Sequence, residues 1–275
     1  MSELTPLGSM LGKHNTEQNF SFREYQLQMA EHYNNTEGDL DNLDGYDCKV
    51  CKNKGFIAKV DDNDSMVYAL CQCKKTRATL KRARESGLND ILKEYTFDKY
   101  VATDDWQKHV KERAQLFCKD DDAHWFYIGG QVGSGKTHIC TAISAYYIKS
   151  GKEVKYMLWS EESKKLKSLV NDIGYQDEIA IYKNVDVLYI DDFLKVRNGE
   201  IPTNGDINLA FEIINHRLLS KDKVTIISSE KTLDELLDYD EATMSRISTK
   251  AGAYKLNISK DRSKNYRLRE NNGQN

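Results

Sequence analysis

The chain has 275 residues, with 40 basic and 43 acidic side chains, a formal net charge of −3 and only two prolines. That length allows one large or two modest domains with a buried core, and the charge balance excludes a protein drawn as a whole to nucleic acid, so any such contact must come from local patches. The start MSELTPLGSM lacks a basic region followed by an apolar one, and no apolar run approaches the roughly 20 residues that span a bilayer, so a soluble, cytoplasmic protein with no membrane partner is expected.

Residues 1–45 are polar and rich in asparagine. Phe22, Tyr25, Leu27, Met29 and His32 keep an imperfect 3.6-residue period, which predicts a helix over 20–33, and 34–45 reads as an exposed acidic turn or linker. Two cysteine pairs follow, Cys48-x-x-Cys51 and Cys71-x-Cys73. Between them, 55–60 and 66–70 read as strands joined by a DDNDS turn, a hairpin that brings the pairs together. Four thiolates in two close pairs suit a tetrahedral structural Zn²⁺ with no open coordination position. Disulfides are the alternative, disfavoured by the lack of secretory context. A segment of about 30 residues would need the metal in order to fold. Cys118 and Cys140 stand alone and read as buried thiols.

Over 74–84, Lys74, Lys75, Arg77, Lys81, Arg82 and Arg84 occur with no acidic residue, the strongest local positive patch. A solvated linker helix and a phosphate-contacting helix are both open. After a turn at Ser86 and Gly87, a segment over 88–100 and a helix over 106–117 lead to the central stretch, HWFYIGGQVGSGKTHICTAISAYYIK at 124–149. The run 125–128 reads as a strand that stops at Gly129 and Gly130; from Lys136, Ile139, Ala142, Ile143 and Tyr146 take a helical period. Gly130 to Thr137 fits G-x-x-x-x-G-K-[ST]. Gly130, Gly133 and Gly135 permit backbone angles that let successive N–H groups point inward as an anion nest. Lys136 would reach the outer phosphates and Thr137 would hold Mg²⁺, with the helix dipole aimed at the same charge. A flexible glycine loop is the bland alternative, and the strand before and helix after argue against it.

A strand is predicted over 152–159 and a helix over 161–173. The apolar run at 185–193 reads as a buried strand ending in Asp191, placed to bind Mg²⁺ through water, and Asp192, placed as a general base or water-orienting acid. Residues 193–206 read as a loop, with Asp206 capping a helix over 207–219. A strand over 224–227 runs into Ser228, Ser229 and Glu230, Thr232 caps a helix over 233–237, a further helix includes Met244, Arg246 and Ile247, and a last strand lies near 253–258. The tail NNGQN reads as disordered.

Taken together, C-x-x-C…C-x-C, GSGKTH, YIDDF, FEIINHR, TIISSE and SRI at 245–247 resemble the bacterial and phage helicase loaders of the DnaC/DnaI type, AAA+ ATPases related to the transposition helper IstB. The resemblance covers roughly residues 45–270. It implies an α/β fold of the AAA+ P-loop NTPase kind, a parallel sheet flanked by helices, preceded by a small zinc-binding N-terminal domain. The implied layout is a helicase-interaction domain over 1–75, a basic linker helix over 76–98 and the ATPase over 99–275.

The resemblance also implies ATP, Mg²⁺ and Zn²⁺ as cofactors. Gly130, Gly133, Ser134, Gly135, Lys136, Thr137 and His138 would meet the nucleotide, Asp191 the magnesium, and Cys48, Cys51, Cys71 and Cys73 the zinc. The sensor-1 position, usually Asn in the family, falls at Glu230 with Ser229 just before it. Arg246 matches the arginine finger that reaches a neighbouring subunit's γ-phosphate, so Lys136, Asp192 and Arg246 form the implied catalytic set; Arg217 and Arg267 are second-line candidates or surface ion pairs. The implied function is slow, assembly-dependent ATP hydrolysis by a loader that binds the hexameric replicative helicase, self-associates through the ATP site and delivers the helicase to single-stranded DNA. The basic segment and the loop with Lys195 and Arg197 are the candidates for DNA contact, although neither shows interleaved aromatics. Two other readings stand beside it: an IstB-like transposition helper, against which the cysteine module argues, and a nucleotide-gated adaptor that hardly hydrolyses.

Overall fold

The computed structural model describes residues 21–85, 91–92, 94–197 and 200–269; the expectation for the NNGQN tail lies outside them. The chain divides into two compact units, Met1–Cys71 and Gln72–Asn275.

In the first unit Ser21 opens α1 (Phe22–Asn35) with a capping box: its hydroxyl accepts the Glu24 N–H at 3.2 Å and the Glu24 carboxylate accepts the Ser21 N–H at 2.8 Å. Near the other end of α1 the Asn34 amide bonds both backbone groups of Ala58 at 2.9 Å, which fixes the helix on β1 (Phe56–Val60). β1 pairs antiparallel with β2 (Met66–Leu70), from Phe56 opposite Leu70 to Val60 opposite Met66. The Asp61 carboxylate accepts the N–H groups of Asn63 and Ser65 and closes the turn between them. Within the expected acidic linker, Leu40–Asp44 forms a short helix, α2, that ends where Gly45 takes a left-handed φ of 69°.

The second unit begins with α3 (Cys73–Glu85), and α4 (Asp105–Phe117) leads to a five-stranded parallel sheet. Its strands are β3 (Trp125–Gly130), β4 (Val154–Leu158), β5 (Val187–Asp191), β6 (Val224–Ser229) and β7 (Lys255–Ile258), in the spatial order β4-β5-β6-β3-β7. Every residue of β3, β5 and β6 is buried, which is why these strands show no alternation of apolar and exposed polar positions. The pleat divides them between two cores. Trp125, Tyr127, Leu188, Ile190 and Ile227 pack with α6 (Trp159–Leu169), α7 (Tyr175–Asn184), α8 (Asn204–Leu218), α9 (Leu233–Leu237) and α10 (Glu241–Ala251). Phe126, Ile128, Tyr189 and Ile226 pack with α4 and α5 (Lys136–Lys149). β3 thus lies between β6 and β7, neither adjacent to it in the chain, and a ligand crevice forms beyond the carboxyl ends of strands at such a switch in order. Among the described residues, no helix is long and apolar enough to cross a membrane.

Three expectations need correction. The helix expected over 161–173 ends at Leu169, and a second one, α7, follows and buries Tyr175, Ile179 and Tyr182 along one face. The cap of α8 is Thr203, whose hydroxyl accepts the Asp206 N–H while the Asp206 carboxylate accepts the Thr203 N–H; Asp206 is therefore the inner partner of a capping box, one turn inside the helix. Arg217 is neither a site residue nor a surface ion pair. It is fully buried, and its guanidinium donates to the Thr225 hydroxyl at 2.9 Å and to the carbonyls of Tyr182 (3.1 Å), Val185 (2.9 Å) and Val224 (2.7 Å). Burial lowers its pKa to about 10. Removing this donor fork would orphan several buried carbonyls. Arg217→Met is expected to cost about 3 kcal/mol or more in a urea unfolding titration of the full chain, with Arg217→Lys intermediate.

Candidate functional site

The loop after β3 is shaped by close approaches that exclude side chains. Gly130 has φ 112°, and a Cβ there would lie 1.9 Å from the Ile258 carbonyl oxygen; Gly135, at φ 87°, caps α5 with the Tyr100 ring 3.0 Å from where its Cβ would be. Ser134 is buried, and its hydroxyl donates across the loop to the Gln131 carbonyl at 2.7 Å. Gln131 N–H donates to Ile258 O and Tyr266 N–H to Gly133 O, so the C-terminal segment braces the loop.

Lys136 is 7% exposed and donates to the carbonyls of Gly130 (2.9 Å) and Gln131 (2.7 Å), which leaves one of its three ammonium protons for a ligand. Burial lowers its pKa, opposed by the carboxylates of Glu230, Asp192 and Asp191. The Thr137 hydroxyl donates to Asp191 Oδ1 at 3.4 Å. Asp191 also accepts from the Ser228 hydroxyl, from the Tyr156 hydroxyl at 3.1 Å and from the Asp192 N–H at 3.1 Å. The hydroxyl of Thr137 and the carboxylate of Asp191 are adjacent hard oxygen donors of the kind Mg²⁺ takes, so these residues fit that ion. Asp192 has a left-handed φ of 54°, and its carboxylate accepts from Lys195 at 2.9 Å; Lys195 also pairs with Glu230 at 2.8 Å.

These groups open onto a cleft of about 390 Å³. Gly133, Ser134, Gly135, Lys136, Thr137, His138, Asp192 and Glu230 line it, while Asp191 is buried behind Thr137 and Gly130 belongs to the end of β3. The structure therefore brings the expected residues from Gly133 to His138 to one cleft with Asp192 and Glu230, and sets Gly130 and Asp191 outside its lining. Of the sensor pair, Glu230 faces the cleft, whereas Ser229 is buried and donates to the Phe193 carbonyl at 2.9 Å. His138 donates from Nε2 to the Thr96 carbonyl at 2.8 Å and stacks on Tyr95 with ring centroids 4.8 Å apart; burial lowers its pKa. Arg267 also lines the cleft. Arg246 does not: it is exposed on α10 and donates to the Asn215 side-chain oxygen at 2.9 Å. In the basic segment Arg77 is buried, and the side chains of Arg82 and Arg84 lie outside the described residues.

Sequence reasoning missed the far wall of the cleft, Tyr95, Lys99, Tyr100 and Val101, because the segment before α4 carries no periodic pattern. It also missed Tyr156 and Ser228 as partners of Asp191, which are set by strand register. Cys118 and Cys140 are buried as expected; burial pushes the Cys118 thiol up to about 12 and the Cys140 thiol well above its ordinary value.

The sulfurs of Cys48, Cys51, Cys71 and Cys73 lie within 4.8 Å of one another, all buried and unbridged. Cys48 and Cys71 are 3.8 Å apart, the edge of a tetrathiolate tetrahedron built on Zn–S bonds of about 2.3 Å. Gly55 donates its N–H to Cys51 Sγ at 3.2 Å, and its carbonyl accepts the Cys71 N–H at 2.9 Å; Cys48 N–H donates to the Asn53 side chain at 2.7 Å. Such second-layer bonds orient metal ligands, so the donor set fits zinc.

The sequence profile of the bacterial DnaA ATPase domain matches residues 91–252. The uncharacterized protein YqaM of Bacillus subtilis (strain 168) is 31% identical over 209 residues, 72% of this chain and 66% of YqaM. The phage-like element PBSX protein XkdC of the same organism is 28% identical over 234 residues, 77% of this chain and 85% of XkdC. The crystal structure of the DnaC helicase loader aligns with a TM-score of 0.51 at 19% identity, over 62% of this chain and 98% of that one, and shares the fold.

Asp191→Asn is expected to weaken ADP binding about tenfold or more in Mg²⁺ and little in EDTA, measured by calorimetric titration. The purified chain is expected to carry one zinc per molecule by elemental analysis, lost in a Cys48→Ser/Cys51→Ser variant.

Proposed function

Because the chain belongs to the family of the bacterial DnaA ATPase domain, a replication-related group of AAA+ ATPases, we propose that it is a helicase loader that binds ATP with Mg²⁺, hydrolyses it slowly, and delivers a hexameric replicative helicase to single-stranded DNA. The observation that carries the ATPase part is the convergence of Lys136, Thr137 and Asp192 on one cleft, with Asp191 bonded to Thr137 behind it.

Lys136 and the inward N–H groups of the loop bind the outer phosphates at the positive end of α5. Thr137 and Asp191 hold Mg²⁺, which neutralises phosphate charge when bound. Asp192 orients a water whose oxygen bonds to the γ-phosphorus as the bond from that phosphorus to the β–γ bridging oxygen breaks. The bridging oxygen leaves on ADP with the electron pair, and the water proton passes through Asp192 to the released phosphate. Arg246, held by a neutral asparagine on an exposed helix face, suits a trans role at a neighbouring subunit's nucleotide, where such a residue is worth about 10³ to 10⁵ in rate. Assembly through the ATP site then switches on turnover. Residues 1–75, with their zinc module, grip the helicase, 76–98 link, and 99–275 form the ATPase. A nucleotide-gated adaptor with little hydrolysis is the second reading, favoured by the engagement of Asp192 by Lys195.

Lys136→Ala is expected to abolish ATP turnover, and Arg246→Ala to lower it at least a hundredfold at concentrations where the wild type assembles. Turnover unchanged by Arg246→Ala removes the trans finger. Co-purification with a replicative helicase, in ATP and in ADP, tests the loader itself; no retention in either nucleotide removes that reading.

A further inference from the structure

Lys195 belongs to two clefts. It lines the nucleotide cleft, and it lines a second one of about 230 Å³ that shares Val132 and Glu230 with the first. The second cleft carries four cationic side chains, Lys195, Arg197, Lys231 and Lys260, against two carboxylates, Glu200 and Glu230. On the nucleotide side, Lys195 is the ammonium that occupies the Asp192 carboxylate. The turn that makes this contact is closed twice, by the ion pair and by a Lys195 N–H to Asp192 carbonyl bond of 3.0 Å, with Asp192 and Leu194 both at positive φ. The ammonium engages one of the two Asp192 oxygens, Oδ2, and the positive charge there makes the carboxylate a poorer acceptor for a water proton.

We propose that Lys195 gates hydrolysis: it holds Asp192 off the attacking water until a phosphate-bearing anion, such as the backbone of single-stranded nucleic acid, binds in the second cleft and draws the ammonium to itself. The Lys195 side chain is 38% exposed and those of Asp192 and Glu230 27% and 31%, so a charged ligand can reach the bridge. Partly exposed ion pairs of this kind are weak enough to be displaced by a bound anion. Glu230 lies on both clefts, so it holds Lys195 at their boundary and keeps the exchange local. Lys195 is therefore a positioning residue, acting through Asp192. The inference rests on the ATPase reading above.

The test measures steady-state ATP turnover of the full chain, of Lys195→Ala and of Lys195→Arg, each alone, with oligothymidylate, and with inorganic phosphate at matched ionic strength. Binding of a fluorescent ADP analogue and thermal unfolding are followed in parallel. Oligothymidylate is expected to raise wild-type kcat on the order of tenfold at unchanged KM, a fraction of the 10²–10⁴ a positioned base contributes. Lys195→Ala should show the raised kcat unaided and gain nothing further, and Lys195→Arg should restore the wild-type response. Equal stimulation by inorganic phosphate supports the gate and assigns the second cleft to the free anion. A Lys195→Ala kcat at or below that of the wild type, or one still stimulated, overturns the gate; a raised Lys195→Ala rate with no wild-type response to either anion overturns the second cleft as its trigger. Retained analogue binding with no turnover in any chain removes the gate alone, whereas no binding by the wild type removes the ATPase reading and the gate with it.

Discussion

The carboxylate of Asp191 is the point on which the catalytic end of the sheet depends. A buried charge left unpaired would be expensive, and here neutral donors from separate elements satisfy it: Thr137 from α5, Tyr156 from β4, Ser228 from β6, and the backbone of Asp192. None of these donors cancels the charge, so it remains available to a cation. The strand order makes this possible, because β5 lies between β4 and β6 and so brings a hydroxyl to Asp191 from each side.

At the opposite ends of the same strands the chemistry is reversed. The buried cation Arg217 is satisfied by carbonyls at the start of β6, in the last turn of α7 and just after it. One end of the sheet is thus tied by a saturated donor fork, and the other presents an acceptor kept open for ligand. That division places rigidity where nothing needs to move and leaves reactive groups on a firmly held platform.

How much of this was legible in the sequence follows from how local each signal is. The strand–loop–helix at 124–149, the buried strand ending in Asp191 and Asp192, and the Thr232 cap were readable because period, composition and spacing carry them within a few residues. The helix α7 was lost because only a short turn separates it from α6. The cap of α8 was placed at the wrong end of its T-x-x-D box, since Thr and Asp are both good caps and only the hydrogen bonds show which plays which part. The contacts of Arg217 and Tyr156, and the pairing of Lys195 with Glu230, were out of reach. Each depends on partners, such as Val185, Asp191 and Glu230, whose proximity is created by sheet order and turn geometry.

Gly55, bonded through its N–H to Cys51 and through its carbonyl to Cys71, joins the cysteine cluster to the first rung of the hairpin. All pairings from there to the Asp61 turn lie within the single stretch Phe56–Leu70. Contacts of such low sequence separation close quickly. During synthesis this element can therefore form as soon as Cys73 has left the ribosome, well before the sheet that begins at Trp125 has been made.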